Sequence, residues 1–303
     1  MNATFPCPIC SSRAGRPIAF RREEDLDEWR AEYGDERPYE WLLCEYCTNL
    51  YPSHQPDLRI LQRVWESLRV PEEAGNETAL RARRETLGRV GAERSYKFFA
   101  PLASQPPGKF LDIGCGFGQT VRKFSDHGWD AAGIDIDPVT ESYHRKLGIS
   151  TRIGPIEQFD LAPDYTLILI AHAIYFVTDP MAFIRKIRDH LKPNGLFCVV
   201  IADLLAHDDS NLPSYVHTFF PDGPSMRYAL GLAGFETVFM KRAHGSIFIA
   251  ARPSENVVLP QVDPARALMM WRTKALRYNL IGRPHVAVRR IAKATLVKLG
   301  ILK

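Results

Sequence analysis

The 303-residue sequence predicts an α/β protein: a parallel sheet covered by helices on both faces, with a small metal-binding module before it and a basic helical extension after it. Three observations carry that expectation. From residue 106 onward, apolar runs of strand length alternate with amphipathic stretches of helix length, the pattern of βαβ units. Near the N-terminus, four of the six cysteines fall into two Cys-x-x-Cys pairs. At the other end, residues 264–303 hold ten Lys/Arg and no Asp or Glu, so the net charge of +4 divides into +10 on the tail and −6 on the remainder. An acidic body argues against a protein wrapped in nucleic acid. These shifts divide the chain into a metal module (1–55), a charged, Pro-bearing linker (56–78), a core domain (79–255) and a basic extension (256–303).

The first element is the cysteine module. "CPIC" (Cys7, Cys10) and "CEYC" (Cys44, Cys47) bring four thiolates to one tetrahedral centre, a donor set that suits a structural Zn²⁺. Redox chemistry is the competing use of Cys-x-x-Cys, but it wants one pair at a helix start in a βαβ unit, and neither pair has that setting. Four thiolates leave no open coordination position, so the metal is expected to fold the module rather than to react. The 33 residues between the pairs exceed the need of a compact ribbon, so the acidic stretch "REEDLDEWRAEYGDE" is expected to loop out. The remaining cysteines, Cys115 and Cys198, read as small packed side chains.

The helical pattern of "ALRARRETLGRVGAERSYKFFAPLA" leads into the core. There "KFLDIG" is the first strand and "QTVRKFSDHG" the helix after it, closed by Gly128. "DAAGID" is the second strand and "PVTESYHRKLG" its helix. "YTLILIAH" is an uninterrupted apolar strand buried on both faces. "DPMAFIRKIRDHLKPNG" is an amphipathic helix with a Pro/Gly stop, "LFCVVIA" a further strand, and "FETVFMKRA" and "SIFIAARP" a closing hairpin. Three glycines, Gly114, Gly116 and Gly118, break the chain directly after the first strand. Glycine there serves a loop whose main chain takes left-handed angles and approaches a ligand closely. Asp135 ends the second strand 21 residues after Gly114, placed to accept both ribose hydroxyls of an adenosine. On these features alone, a dinucleotide, another adenosyl ligand and a plain turn with a solvated Asp all stay open.

The order "FLDIGCGFG…HGWDAAGIDIDP…YTLILIAHAIYFVTDPMAFIRKIRDHLKPNGLF" resembles the class I S-adenosylmethionine (SAM) methyltransferases over residues 79–252. The resemblance implies a Rossmann-like, seven-stranded sheet. It implies that Asp112, Gly114, Cys115, Gly116 and Gly118 hold the methionine end of SAM, that Asp135 with Ile136 holds the ribose, and that Ile156 and Glu157 flank the adenine. One departure is visible: many relatives read "HVLEHVxDP" where this chain has "HAIYFVTDP", so His172 matches and Tyr175 and Phe176 replace a Glu-His pair. A cysteine module before such a core is similar to bacterial zinc-ribbon methyltransferases linked to glycan or deoxysugar modification. Sugar C-methyltransferases share both modules but continue with another full domain. Zinc-ribbon rRNA guanine methyltransferases are the alternative with nucleic acid, disfavoured by the acidic body.

A hydroxyl acceptor must lose a proton, for which a neutral histidine is the economical base. His172, at the carboxyl end of its strand, and His217, in "PSYVHTFF", are the candidates, with Tyr175 and Tyr215 placed to orient the acceptor. The expected reaction is methyl transfer to a sugar or glycan hydroxyl or a related small acceptor; a non-catalytic SAM-binding scaffold is the alternative outside enzymology. In the tail, Asp263-Pro264 starts a helix and Gly282 stops it, and a second helix runs from about Val286. That tail is expected to pack on the core or on a partner protein, with an anionic membrane as the competing contact. No apolar run approaches the roughly 20 residues that span a bilayer, and the N-terminus has no apolar signal core, so a cytoplasmic protein is expected.

Overall fold

The computed structural model describes residues 5–18, 40–54, 77–104, 106–206, 212–214 and 216–282. The acidic insertion, most of the linker, Tyr215 and the tail beyond Gly282 lie outside the described residues.

Three short antiparallel strands, β1 (Gly15–Ile18), β2 (Trp41–Cys44) and β3 (Leu50–Pro52), form the cysteine module in the order β1-β2-β3. Helix α1 (Glu77–Phe99) then leads to the main sheet. Its elements follow the chain as β4 (Lys109–Ile113), α2 (Gln119–Ser125), β5 (Asp130–Asp135), α3 (Glu141–Leu147), β6 (Ser150–Ile153) and β7 (Tyr165–Ala171). After these come α4 (Pro180–His190), β8 (Leu191–Ala202), α5 (Gly223–Leu232), β9 (Phe235–Ala243), β10 (Ser246–Pro253) and α6 (Pro264–Arg277). The seven strands stand in the order β6-β5-β4-β7-β8-β10-β9, with β10 antiparallel to both of its neighbours and the rest parallel.

Two differences from the sequence reading have local causes. The strand β6, "STRI", was not expected; it is a half-exposed edge whose pairing with β5 defines it. The strand β8 begins at Leu191, five residues before the apolar run, because "LKPNG" joins the ladder irregularly. Leu191 pairs with Tyr165, the register then shifts, and Asn194 takes a left-handed φ of 64°.

The sheet is apolar on both faces, as parallel sheets are. Along β7, Leu167 and Leu169 pack with Phe110, Phe124 and Trp129 on one side, while Ile168 and Ile170 join Val199 and Ile201 on the other. Phe110 and Phe124 stack at 3.7 Å with their rings nearly parallel. The cysteine module belongs to the second face. Trp41, Leu42, Leu50 and Tyr51 share one cluster with Phe219, Phe220 and Trp271, and the Phe220 N–H donates to the Leu50 carbonyl at 2.7 Å. Helix α6 starts at Asp263, whose carboxylate accepts from the Arg266 N–H, and it buries Leu268 and Trp271. A π-helical turn over Tyr278–Gly282 ends it where the sequence placed the glycine stop. Among the described residues, no helix is long and apolar enough to cross a membrane.

Candidate active site

The turn from β4 to α2 carries the three glycines, all left-handed, at φ 72°, 53° and 78°. Steric room explains two of them further. A Cβ on Gly114 would stand 2.6 Å from the Ala173 Cβ, and one on Gly118 would meet Ile149 Cδ1. This turn forms one wall of a cavity of about 620 Å³ at the carboxyl ends of β4, β5 and β7, the place where open α/β sheets bind ligands.

Asp135 closes the turn from the side. Its Oδ2 accepts the Gly116 N–H at 2.7 Å and its Oδ1 accepts the Asp137 N–H at 2.9 Å. A carboxylate has about four acceptor directions, so two remain for the cavity that Asp135 lines. Burial pushes its carboxyl above the usual range, opposed by the two backbone donors. Asp112 lies one strand away, fully buried and behind the cavity wall rather than in it. Its Oδ1 has no hydrogen-bond partner, and burial, with the charge of Asp135 second, pushes its carboxyl up to about 8. A carboxylate at the cavity edge, with a second carboxyl behind it that a cation would help to ionise, favours a cationic ligand and penalises an anionic one. SAM, with an ammonium and a sulfonium, fits that electrostatics; the pyrophosphate of a dinucleotide does not.

Of the other expected cofactor residues, Cys115, Ile136 and Ile156 line the cavity. Burial pushes the Cys115 thiol well up, so it packs rather than reacts. Glu157 sits on the 3-10 turn Ile156–Gln158.

Sequence reading missed His144. This residue of α3 is buried beneath the glycine turn, and its Nε2–H donates to the Gly116 carbonyl at 2.7 Å. Gly116 is thus held at both ends, its N–H by Asp135 and its carbonyl by His144. His144→Phe is expected to weaken S-adenosylhomocysteine about tenfold, the value of one net hydrogen bond. His144→Gln, which keeps a donor, is expected to restore most of that affinity; calorimetry on both variants checks it.

On the β7 side of the cavity, His172 follows the strand with a left-handed φ of 55°, a strained angle for a residue with a side chain. Its N–H donates to the Val200 carbonyl, its Nε2 lies 3.1 Å from Ser246 Oγ, and the residue lines the cavity. The residue is exposed toward the cavity, and desolvation by the atoms around the ring lowers its pKa. Phe176, from the 3-10 turn Ile174–Phe176, lines the same wall.

Tyr175 and His217 are placed differently from the sequence expectation. Tyr175 points into the core, where its hydroxyl accepts the Ala202 N–H and its ring stacks on Phe220 at 4.7 Å. His217 stands outside the cavity wall, against the rings of Tyr175, Phe176 and Phe220. Its Nδ1 accepts the Ser214 N–H at 2.8 Å. The neutral ring therefore carries its proton on Nε2 and has no free lone pair for a base.

The four module cysteines converge. Cys7 and Cys47 Sγ are 3.5 Å apart, Cys10 and Cys44 Sγ 3.4 Å, and all four sulfurs lie within 4.8 Å of one another. Tetrahedral zinc with bonds near 2.3 Å separates its sulfurs by about 3.8 Å, so the cluster fits that ion. The residue after each pair, Ser11 and Thr48, takes a left-handed φ of 60° and 56°. The two halves are thus built alike, as paired knuckles.

A family profile described as "Methyltransferase domain" matches residues 81–239, just over half of the chain. Among curated proteins, the chain is 28% identical over 167 residues to the malonyl-[acyl-carrier protein] O-methyltransferase of Porphyromonas gingivalis. That match covers 53% of this chain and 58% of that enzyme, less than two thirds of its length. It is 25% identical over 199 residues to the ubiquinone biosynthesis O-methyltransferase of Azorhizobium caulinodans, covering 58% and 71%. Among solved structures, a SAM-dependent methyltransferase from Mesorhizobium loti superposes with a TM-score of 0.44 at 18% identity, covering 54% of this chain and all of that one.

Proposed function

The chain belongs to the methyltransferase-domain family of class I SAM-dependent enzymes, and on that premise we propose that it transfers a methyl group to a hydroxyl oxygen of a small acceptor, a sugar or related metabolite. The observation that carries this reading is one cavity lined by Asp135 and the glycine turn at the ends of β4 and β5 and by His172 at the end of β7. Two O-methyltransferases among the curated relatives support an oxygen acceptor. The sugar class rests on the resemblance of the cysteine module, which in this reading holds a structural Zn²⁺.

When bound, SAM supplies an electrophilic methyl group on a sulfonium. The chain's own residues do the rest. Asp135 accepts the ribose hydroxyls, and the glycine turn lets main chain approach the methionine end. Asp112, kept largely protonated by its burial, packs behind the wall rather than holding charge there. In this reading His172 takes the tautomer in which Nε2–H donates to Ser246 Oγ, 3.1 Å away, so that the Nδ1 lone pair takes the proton from the acceptor hydroxyl. Phe176 covers the acceptor and excludes water. Holding the two reactants in line supplies much of the acceleration, and the base a further factor of about 10²–10⁴.

The test is transfer of label from SAM to fractionated acceptors, with nucleotide sugars, glycans and total RNA as separate arms. Incorporation confined to RNA, or none anywhere, overturns the proposal. With the acceptor in hand, His172→Ala is expected to lower kcat/KM by about 10²–10⁴-fold and leave S-adenosylhomocysteine affinity unchanged. A base with a lowered pKa stays unprotonated to lower pH. The acid limb of kcat/KM in the native enzyme is therefore expected below about 6.5, the usual histidine value.

A further inference from the structure

We propose that the outward face of α6 and of the turn after it docks on an anionic lipid bilayer. The face of α6 toward the body is fully used. Leu268, Trp271 and Ala275 are buried, and the buried Lys274 donates through Nζ to the Ala206 carbonyl at 3.1 Å. A surface helix anchored this way has no need of apolar residues on its far side. Yet Met269, Leu276, Leu280 and Ile281 are 65%, 60%, 67% and 61% exposed. At about 100° per residue, Met269 and Leu276 project within about 20° of each other, two turns apart. Arg266 and Arg272 are exposed on the same side, flanking the apolar stripe with positive charge.

Charge selects the occupant. A second copy docking through this face would bring two basic helices together. The remaining residues, 283–303, carry six further Lys/Arg and no acidic group, so laying them over Arg266 and Arg272 adds like charge to like. An anionic bilayer satisfies both features: its headgroups attract the arginines, and its acyl boundary takes the apolar stripe. The body, at −6 over residues 1–263, is repelled by the same surface, which leaves the basic extension that begins with this helix as the contact. None of this depends on the identity of the methyl acceptor.

The experiment is flotation of the full chain with two vesicle types, phosphatidylcholine alone and equal parts phosphatidylcholine and phosphatidylglycerol, at low and high salt. Two variants accompany it: Met269→Ser/Leu276→Ser/Leu280→Ser, and Arg266→Glu/Arg272→Glu. All five positions are exposed, and retained S-adenosylhomocysteine binding verifies the fold. The full chain is expected to float with the anionic vesicles alone and to dissociate as salt rises. Each variant is expected to lose at least about tenfold in bound fraction. Failure to float with either vesicle, or variants that float like the parent, overturns the proposal. A concentration-dependent dimer abolished by the serine variant, without vesicle binding, overturns it too and gives the face to a second copy.

Discussion

Asp135→Ala is expected to weaken S-adenosylhomocysteine binding by about 10²–10⁴-fold, because it removes an acceptor for two ribose hydroxyls at about 1.5–3 kcal/mol each. The substitution also strips the Gly116 and Asp137 N–H groups of their partner, so the glycine turn loses its clamp along with the ligand contact. Asp135→Asn is expected to fare little better. Its single amide oxygen can face one of the two backbone donors, and its NH₂ is left against the other. The effect on folding runs the opposite way in part. Burial raises the Asp135 pKa, so the folded chain already strains to keep that charge. Removing the carboxylate relieves the cost as it creates two unpaired donors of about 1–3 kcal/mol each. A near-neutral melting temperature with a lost binding isotherm is therefore the expected pair of results. A dissociation constant within threefold of the parent would remove Asp135 from the cofactor site.

The two walls of the cavity differed in how legible they were. Gly114, Gly116, Gly118 and Asp135 could be read from the sequence because chain chemistry fixes them: left-handed angles demand glycine, and a strand end projects its last side chain over the sheet edge. Strand β7 was equally plain, since a short run that is apolar at all but Thr166 suits a strand covered on both faces. The rest depended on packing. In β6, "STRI" has no alternation strong enough to mark a strand, and the ladder with β5 alone makes it one. His144 lies in the last turn of α3 beside Arg145 and Lys146, where a basic residue reads as a match to the helix dipole. Nothing local says that its ring crosses to Gly116. Tyr175 and Phe176 are neighbours on a 3-10 turn, which turns successive side chains by about 120°. One faces the core and the other the cavity, and the sequence does not say which. His217 carried a base-like position, but a main-chain donor three residues earlier fixes its tautomer. Asp112 was legible as an acid near the turn but not as one sealed behind it, with its carboxyl pushed to about 8.

Loss of the zinc proposed for the cysteine cluster is expected to abolish methyl transfer while leaving S-adenosylhomocysteine affinity within about threefold, since the β4/β5 and β7 sides of the cavity have different supports. The cofactor wall stands on β4 and β5, far along the sheet order from the hairpin side, and draws no residue from the cysteine module. The acceptor wall is linked to that module step by step. The strand β3 accepts the Phe220 N–H through the Leu50 carbonyl, Phe220 stacks on Tyr175, and the Tyr175 carbonyl accepts both the N–H and the hydroxyl of Thr218. Phe176, the next residue, lines the cavity. Three strands of three or four residues cannot hold themselves together without a staple. Structural zinc contributes about 10–16 kcal/mol of apparent binding energy in small modules, most of it spent on folding. Cys44→Ser, which leaves three thiolates, is expected to lower zinc content below one ion per chain and to lower the melting temperature. Hydrogen exchange is expected to rise across 40–54, 173–178 and 216–222 and to stay unchanged across 109–118. If exchange rises in the module alone and transfer persists, the cysteine cluster is an appendage. If cofactor affinity falls in step with activity, the module supports the whole cavity rather than one wall.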